Sequence, residues 1–368
     1  IASEFRYRDP ILEKNDLVII ISQSGETSDT LAALKLARSR GVPVLAIVNV
    51  VGSSIARAAD YVMYTYAGPE IAVASTKAYT VQMCVLYLFA LRLAYARGRL
   101  SEAETRRYTA QLLHAPEVIK PRLADCEQIK YLASRYVNTQ SCFFIGRGFD
   151  YALSLEGSLK LKEISYVHSD AYAAGELKHG TISLITDGVP VIALATQKNV
   201  YEKTISNAKE TRSRGARVLL FTTKDAEVPE GVATEVIRLD EYDDILMPLQ
   251  LIVPLQLFAY YMAVLRGCDV DKPRNLAKSV TVDGESVSLT PLEFNILQLL
   301  IRSPGRIYSS SQIYELVWNE NSLGAETSVA VHIRHLRQKI EINPSEPRYL
   351  KVVWGLGYKM EDLRHEKE

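Results

Sequence analysis

Three stretches of this chain combine residue types and spacings that suit chemistry. In Ser22-Gln-Ser-Gly-Glu-Thr-Ser-Asp-Thr30, hydroxyls and a glycine stand between an apolar run and a segment that reads as a helix from Asp29. N–H groups at a helix N-terminus lack intrahelical partners and the helix dipole favours negative charge there, so the loop suits a phosphate, with Gly25 permitting the tight turn. Plain N-capping by Ser and Thr accounts for the same residues equally well. In the second stretch Glu156, Lys160 and Glu163 fall at i, i+4 and i+7 of a helical segment and share one face. A lysine between two carboxylates in a cleft is a proton-transfer group with tuned pKa values, suited to chemistry beside a carbonyl. On an open face the same spacing is a solvated ion-pair ladder, the reading that spacing alone favours. The third is His179 in Gly175-Glu-Leu-Lys-His-Gly180, an acid–base candidate, although a lone histidine is more often structural.

The elements that must hold these groups recur within the chain. Ala37-Arg-Ser-Arg-Gly-Val-Pro-Val-Leu-Ala-Ile47 is echoed by Thr211-Arg-Ser-Arg-Gly-Ala-Arg-Val-Leu-Leu-Phe221, an offset of 215 − 41 = 174 residues. At that offset the apolar run Leu17 to Ile21 meets Val191 to Ala195. In both copies a short apolar strand, a loop, a helix and another apolar strand follow in order, the pattern of a parallel sheet covered on both faces. Two tandem α/β domains are expected. In the second copy Thr196-Gln-Lys-Asn-Val200 stands where the first has its phosphate loop, without the Ser-x-Gly core. The second copy also has a strand at Ser141 to Gly146, a turn at Gly146-Arg-Gly148 and a helix over Tyr151 to Ser165. Their counterparts would fall before residue 1 (141 − 174 = −33), so the first copy reads as beginning in mid-domain. A polar, proline-containing stretch, Asp271 to Ser279, reads as a tail, and Thr290-Pro-Leu-Glu293 carries a capping-box signature that opens a separate small domain.

Composition narrows the class. The chain has 368 residues, 48% hydrophobic, with 43 Lys and Arg against 43 Asp and Glu, which excludes wholesale disorder, a fibrous protein and a binder acting by bulk charge. Cys84, Cys126, Cys142 and Cys268 lie far apart among apolar neighbours, so neither a disulfide framework nor a zinc site is expected and a reducing cytoplasm fits. The first residues hold no apolar signal core. Ile245 to Leu265 runs 21 residues without a charge, but Pro248, Gln250, Pro254 and Gln256 interrupt it, and a buried helix is expected rather than a membrane span.

Residues 1 to 280 resemble the isomerase part of the glutamine-fructose-6-phosphate aminotransferase (glucosamine-6-phosphate synthase) family, built from two sugar isomerase (SIS) domains. The motifs are SQSGET (22 to 27), EIAVASTKAYT (70 to 80), LEGSLKLKEISY (155 to 166), AYAAGELKHG (171 to 180) and DKPRNLAKSVTV (271 to 282). The resemblance implies that Ser22, Gln23, Ser24 and Thr27 hold the sugar phosphate, with Val73, Ser75 and Ala277 also at the substrate. It implies that Glu163 moves a proton between C1 and C2, that Lys160 assists, and that His179 opens the sugar ring, reaching a neighbouring subunit's site. Lys278 would meet the C2 carbonyl, as a Schiff-base amine can. The family's glutaminase domain and its Cys-Gly-Thr-Ser loop have no counterpart in these residues, so glutamine is not expected to supply nitrogen through this chain.

The last region shows Leu289 to Leu297, Pro304-Gly-Arg-Ile307, Leu316-Val-Trp318, Val329 to Ile340 and Val352-Val-Trp-Gly-Leu-Gly-Tyr358. Val329, Ile333, Leu336 and Ile340 mark one helical face, leaving Arg334, His335, Arg337 and Lys339 largely on the other. Residues 328 to 340 hold three basic residues and no acid, the concentration that phosphate contacts need, although an ordinary amphipathic helix looks alike. The region resembles the DNA-binding effector domain of OmpR-type winged-helix response regulators. By that likeness Ser328 to Ile340 enters the major groove, the hairpin from Lys351 to Lys359 is the wing, and Arg334, His335, Arg337, Lys339 and Lys351 bind DNA. Trp354 stands where many members place an arginine.

The expectation is an α/β chain: a first SIS domain (1–108), a helical linker (109–128), a second SIS domain (129–270), a tail (271–280) and an α+β winged helix-turn-helix domain (281–363). The expected function is fructose 6-phosphate binding with isomerisation and amination to glucosamine 6-phosphate, joined to a DNA-binding regulator. The alternatives are a sugar-phosphate-sensing transcriptional regulator and an inactive fusion of two gene fragments. The expected partners are a sugar phosphate, double-stranded DNA and a second copy of the chain, with no cofactor, metal or membrane.

Overall fold

The computed structural model describes residues 1–124, 126–274, 278–282, 285–289, 291–318 and 325–361. Packing divides the chain into two compact units, residues 1–66 with 274–368 and residues 67–273.

In the first unit, α1 (Ala2–Phe5), β1 (Val18–Ser22), α2 (Ser28–Ser39), β2 (Val44–Val48), α3 (Ser54–Ala58) and β3 (Tyr61–Tyr64) follow in order. The strands form a parallel sheet, β1-β2-β3, with Ile20 beside Ala46 and Ala46 beside Val62. β2 is buried along its whole length, as a continuous apolar run between two covered faces must be. Ala33, Leu34 and Ala37 of α2 close over it with Ile55 of α3.

The second unit begins with three helices, α4 (Lys77–Ala96), α5 (Glu102–Ala124) and α6 (Glu127–Tyr136). It continues through β4 (Ser141–Gly146), α7 (Phe149–Ser165), β5 (His168–Ala173), β6 (Pro190–Ala195), α8 (Tyr201–Arg212), β7 (Arg217–Thr223), β8 (Glu235–Leu239) and α9 (Met247–Leu265). All five strands run parallel in the order β5-β4-β6-β7-β8. The direction of progression reverses between β4 and β6, and the crevice outside the carboxyl ends of such neighbours is where open α/β sheets take ligands. The 174-residue repeat is structural, since α2–β2 and α8–β7 are the same helix, turn and strand, and both turns place a glycine in the left-handed region (Gly41, φ 75°; Gly215, φ 93°). The expected helix over 151–165 begins two residues earlier, at Phe149.

The division at residues 66 and 67 falls inside the stretch 1–108 assigned above to the first domain. α4 and α5 fall in the second unit, where the Tyr87 hydroxyl of α4 donates to the Ile245 carbonyl just before α9 and the Tyr242 hydroxyl donates to the Gln111 carbonyl of α5. α9 is the buried helix expected from its composition. Both α4 and α9 are long and apolar enough to cross a membrane by length and composition, and only α9 is mostly buried.

The C-terminal module comprises an antiparallel pair, β9 (Lys278–Val282) and β10 (Glu285–Leu289), then α10 (Pro291–Ile301), α11 (Ser310–Trp318), α12 (Ala325–Ile340) and a second hairpin, β11 (Leu350–Val353) with β12 (Gly357–Met360). Val329, Ile333, Leu336 and Ile340 are all buried, as their spacing requires, against Ile296, Leu300 and Ile313. Glu341 ties the end of α12 to the hairpin by accepting the backbone N–H groups of Arg348 (2.6 Å), Tyr349 (2.9 Å) and Leu350 (2.7 Å). Gly357 (φ 136°) lies so close to Tyr308 that a Cβ would stand 2.0 Å from its carbonyl oxygen.

Candidate functional site

The loop after β1 is built by its own hydroxyls. Ser22 Oγ accepts the Gly25 N–H (3.1 Å) and meets Thr27 Oγ1 (3.1 Å), while Ser24 Oγ accepts the Glu26 N–H (3.2 Å). Gly25 is left-handed (φ 68°), and a Cβ on it would stand 2.0 Å from Ser53 Oγ, so no other residue fits. Glu26 turns aside to accept the Ser54 N–H at 2.8 Å, which fastens the loop to the start of α3. Thr27 sits at the N-cap of α2 with extended backbone and makes no side-chain cap bond. Capping, the alternative reading of these residues, is therefore not what the Thr27 hydroxyl does. The first-turn N–H groups of α2 remain as donors for an anion.

The equivalent turn after β6 is closed. Asp150, in the first turn of α7 and only 1% exposed, reaches across the crevice between β4 and β6. Its carboxyl accepts the Thr196 N–H (2.7 Å), the Thr196 hydroxyl (2.6 Å) and the Gln197 N–H (3.3 Å). Burial pushes the Asp150 carboxyl above its usual range, while those donors pull it back. The donors that an external anion would need in this half are taken by an internal one.

The acid–base trio lies on α7. Lys160 Nζ is 2.6 Å from Glu163 Oε2 and 3.6 Å from Glu156 Oε1, and Lys160 is only 5% exposed. The solvated ladder favoured by spacing alone is thus corrected: the lysine is buried because α7 packs its face against the rest of the second unit. Burial, chiefly, pushes Glu156 to about 7, with Lys160 lowering it and Glu163 raising it. Tyr79 of α4 feels the same carboxylate, and burial first and Glu156 second raise its phenol to about 12. Glu156 and Tyr79 thus belong to the cluster, although the resemblance names only Lys160 and Glu163. The signal for Tyr79 was its place in the motif EIAVASTKAYT.

The remaining candidates are placed as follows. Val73 and Ser75 are half-buried in the loop before α4, and the Val73 N–H donates to the Asp271 carbonyl (3.0 Å) at the start of the expected tail. His179 is exposed on the turn after β5. Ala277 lies outside the described residues, as does the side chain of Lys278; the Lys278 backbone opens β9, paired with Leu289.

On α12, Val331, Arg334, His335 and Gln338 form the exposed stripe. Arg337 turns inward, its Nε donating to the Leu350 carbonyl (2.9 Å), and Lys339 pairs with Glu293 of α10 (2.7 Å). Lys351 is half-buried on β11, and Trp354 stands 89% exposed at the hairpin tip. Gln338 carries no charge and so does not stand out in a pattern of basic residues, whereas exposure on a helix follows angular position.

The chain thus joins parallel α/β repeats, one with a phosphate-type loop and the other with a buried Lys–Glu cluster, to a helix-turn-helix module with a hairpin wing. Residues 1–92 and 136–266 match the SIS domain family, and residues 284–360 match the family described as transcriptional regulatory protein, C terminal. The chain belongs to the SIS domain family and carries a C-terminal domain of the OmpR type. Over 283 residues it is 54% identical to the glutamine-fructose-6-phosphate aminotransferase (isomerizing) of Clostridium acetobutylicum, covering 77% of this chain and 46% of that protein. It is 55% identical, with the same coverage, to the enzyme of that name from Caldanaerobacter subterraneus subsp. tengcongensis. The chain thus spans about half the length of the curated relatives it matches. Among solved structures, the C-terminal domain of glucosamine-fructose-6-phosphate aminotransferase from Francisella tularensis superposes with a TM-score of 0.72 at 38% identity, covering 74% of this chain and 77% of that one.

Proposed function

We propose that this chain binds fructose 6-phosphate and catalyses its isomerisation and amination to glucosamine 6-phosphate, on a protein that also binds DNA. The observation that carries the reading is the buried Lys160, 2.6 Å from Glu163 and 3.6 Å from a Glu156 whose pKa is pushed to about 7. Two carboxyl groups around one ammonium, one of them titrating near neutrality, suit the transfer of a proton beside a carbonyl. In this reading Ser22, Gln23, Ser24 and Thr27 take the phosphate and Glu163 shuttles the proton between C1 and C2. Lys160 assists by holding the Glu163 carboxyl in place, His179 opens the ring, and Lys278 engages the C2 carbonyl, with Val73, Ser75 and Ala277 at the sugar. The domain boundaries near residues 108, 128, 270 and 280 belong to the same proposal, as does a homodimer in the cytoplasm.

The test is to titrate fructose 6-phosphate with and without ammonium while following binding and glucosamine 6-phosphate. Saturable binding with product, lost at least a hundredfold in Glu163→Gln with binding retained, supports the reading. Binding without product leaves a sensor, and neither result leaves a fusion without this function.

A second reading, a sugar-phosphate-responsive transcriptional regulator, is favoured by the exposed stripe of α12 with Arg334 and Gln338 beside a wing hairpin. It predicts that fructose 6-phosphate changes the affinity of the chain for duplex DNA. An affinity that is the same with and without the sugar phosphate counts against it.

A further inference from the structure

The winged-helix module holds a side-chain cluster that sugar chemistry does not employ and that shares only His335 with the expected DNA-contacting residues. Glu293 lies in the first turn of α10 with its carboxyl almost wholly buried, and His332 and His335 stand one turn apart on α12. Each of the three offers one ligating atom, and these atoms lie within 4.8 Å of one another. His335 Nδ1 is 3.9 Å from Glu293 Oε1, and the two imidazoles meet edge to face with centroids 6.5 Å apart. His332 Nδ1 is buried and makes no hydrogen bond, and its ring leans on Trp318 (centroids 5.6 Å apart).

We propose that Glu293, His332 and His335 form a binding site for a divalent transition metal of the zinc class, which links α10 to α12. The site goes beyond the expectation drawn from the cysteines, because its donors are imidazoles and a carboxylate brought together from segments about 40 residues apart. Two histidines and one carboxylate are an established zinc donor set that leaves a fourth position for water. Imidazole donors favour zinc, copper or nickel over magnesium or calcium, which prefer all-oxygen sites.

The geometry needs a modest closure. Metal–ligand bonds of about 2.0–2.1 Å place tetrahedral donors roughly 3.4 Å apart, so the widest separation must shrink by roughly 1.5 Å. His335 is half exposed, and rotation of its ring about two side-chain torsions supplies that movement without shifting the helix. Lys339 Nζ bonds Oε2 of the same carboxylate (2.7 Å), while Oε1 lies 3.9 Å from His335 Nδ1. Its side chain is one-third exposed, so its ammonium can move toward water as the cation enters. Metal bound here would draw His335 out of the exposed stripe of α12 and pin that helix to α10.

The test uses the full chain, free of any affinity tag and stripped with a chelator, titrated with Zn2+ against a chromophoric competitor and with Co2+ as a spectroscopic probe. One equivalent of Zn2+ should bind with a Kd of about 1 μM or tighter. Co2+ should give the visible bands of a four-coordinate site, and zinc should raise the unfolding temperature. His335→Ala and His332→Ala should each weaken zinc at least tenfold and abolish the thermal shift, while replacing the exposed His114 of α5, His114→Ala, should change neither. His332 borders the core, so the exposed His335 decides the matter. Absence of saturable zinc binding in the parent chain, or an unchanged affinity in His335→Ala, overturns the proposal.

Discussion

The two α/β repeats build the same turn and use it in opposite ways. After β1, Ser22, Ser24 and Thr27 fold the loop on itself and leave the first turn of α2 without a side-chain cap. After β6, Asp150 inserts a carboxyl that takes up Thr196 and Gln197. One strand-to-helix turn with free donors becomes either a binding site or a structural joint, according to whether the chain supplies its own acceptor. Loss of the Ser-x-Gly core in the second repeat is then no defect, since no external anion has to be received there.

Four experiments test this contrast. The largest effect is expected from Asp150→Ala, which strands three buried donors and should cost about 3 kcal/mol or more in urea unfolding, with Asp150→Asn in between. A loss under 1 kcal/mol would mean that the joint is not structural. Gly25→Ala comes next. It combines φ 68° with a Cβ 2.0 Å from Ser53 Oγ, so it should destabilise the first repeat by about 2 kcal/mol and abolish sugar-phosphate binding. Normal binding in that variant would show that the loop tolerates another shape.

The third effect depends on pH. The folded pKa of Glu156, about 7, lies above its unfolded value near 4.3, so the folded state holds this proton more tightly. The group's contribution is full below about pH 4 and is lost as pH rises through 7. Asp150, also raised, adds a loss of the same sign. Unfolding free energy should therefore fall from pH 5 to pH 8, and Glu156→Gln should reduce that fall by on the order of 2 kcal/mol. An equal fall in both proteins would contradict the assignment. The smallest effect separates the turns directly: Ser24→Ala should weaken fructose 6-phosphate about tenfold, whereas Thr196→Ala should leave its affinity unchanged and cost about 1 kcal/mol of stability.

Much of the fold was legible because burial leaves local marks. Val44 to Val48 and Val191 to Ala195 are apolar without interruption, and both prove to be strands buried from end to end. The apolar face of α12 was read correctly at Val329, Ile333, Leu336 and Ile340 for the same reason. The Glu156–Lys160–Glu163 spacing was visible too, but not its burial, which depends on what packs over α7.

The sequence by itself determined the repeat, the parallel strands, the amphipathic α12 and the residue types of the phosphate loop and the α7 trio. Each of these is written in the periodicity or chemistry of neighbouring residues. Only the tertiary structure decided that Asp150 fills the second turn, that Arg337 and Lys339 turn inward, that Tyr79 meets Glu156, and that Glu293 faces two histidines. In these pairs the partners lie between 13 and 77 residues apart (350 − 337 = 13; 156 − 79 = 77). Which donor meets which acceptor across such distances depends on how whole elements pack, and no local pattern records it.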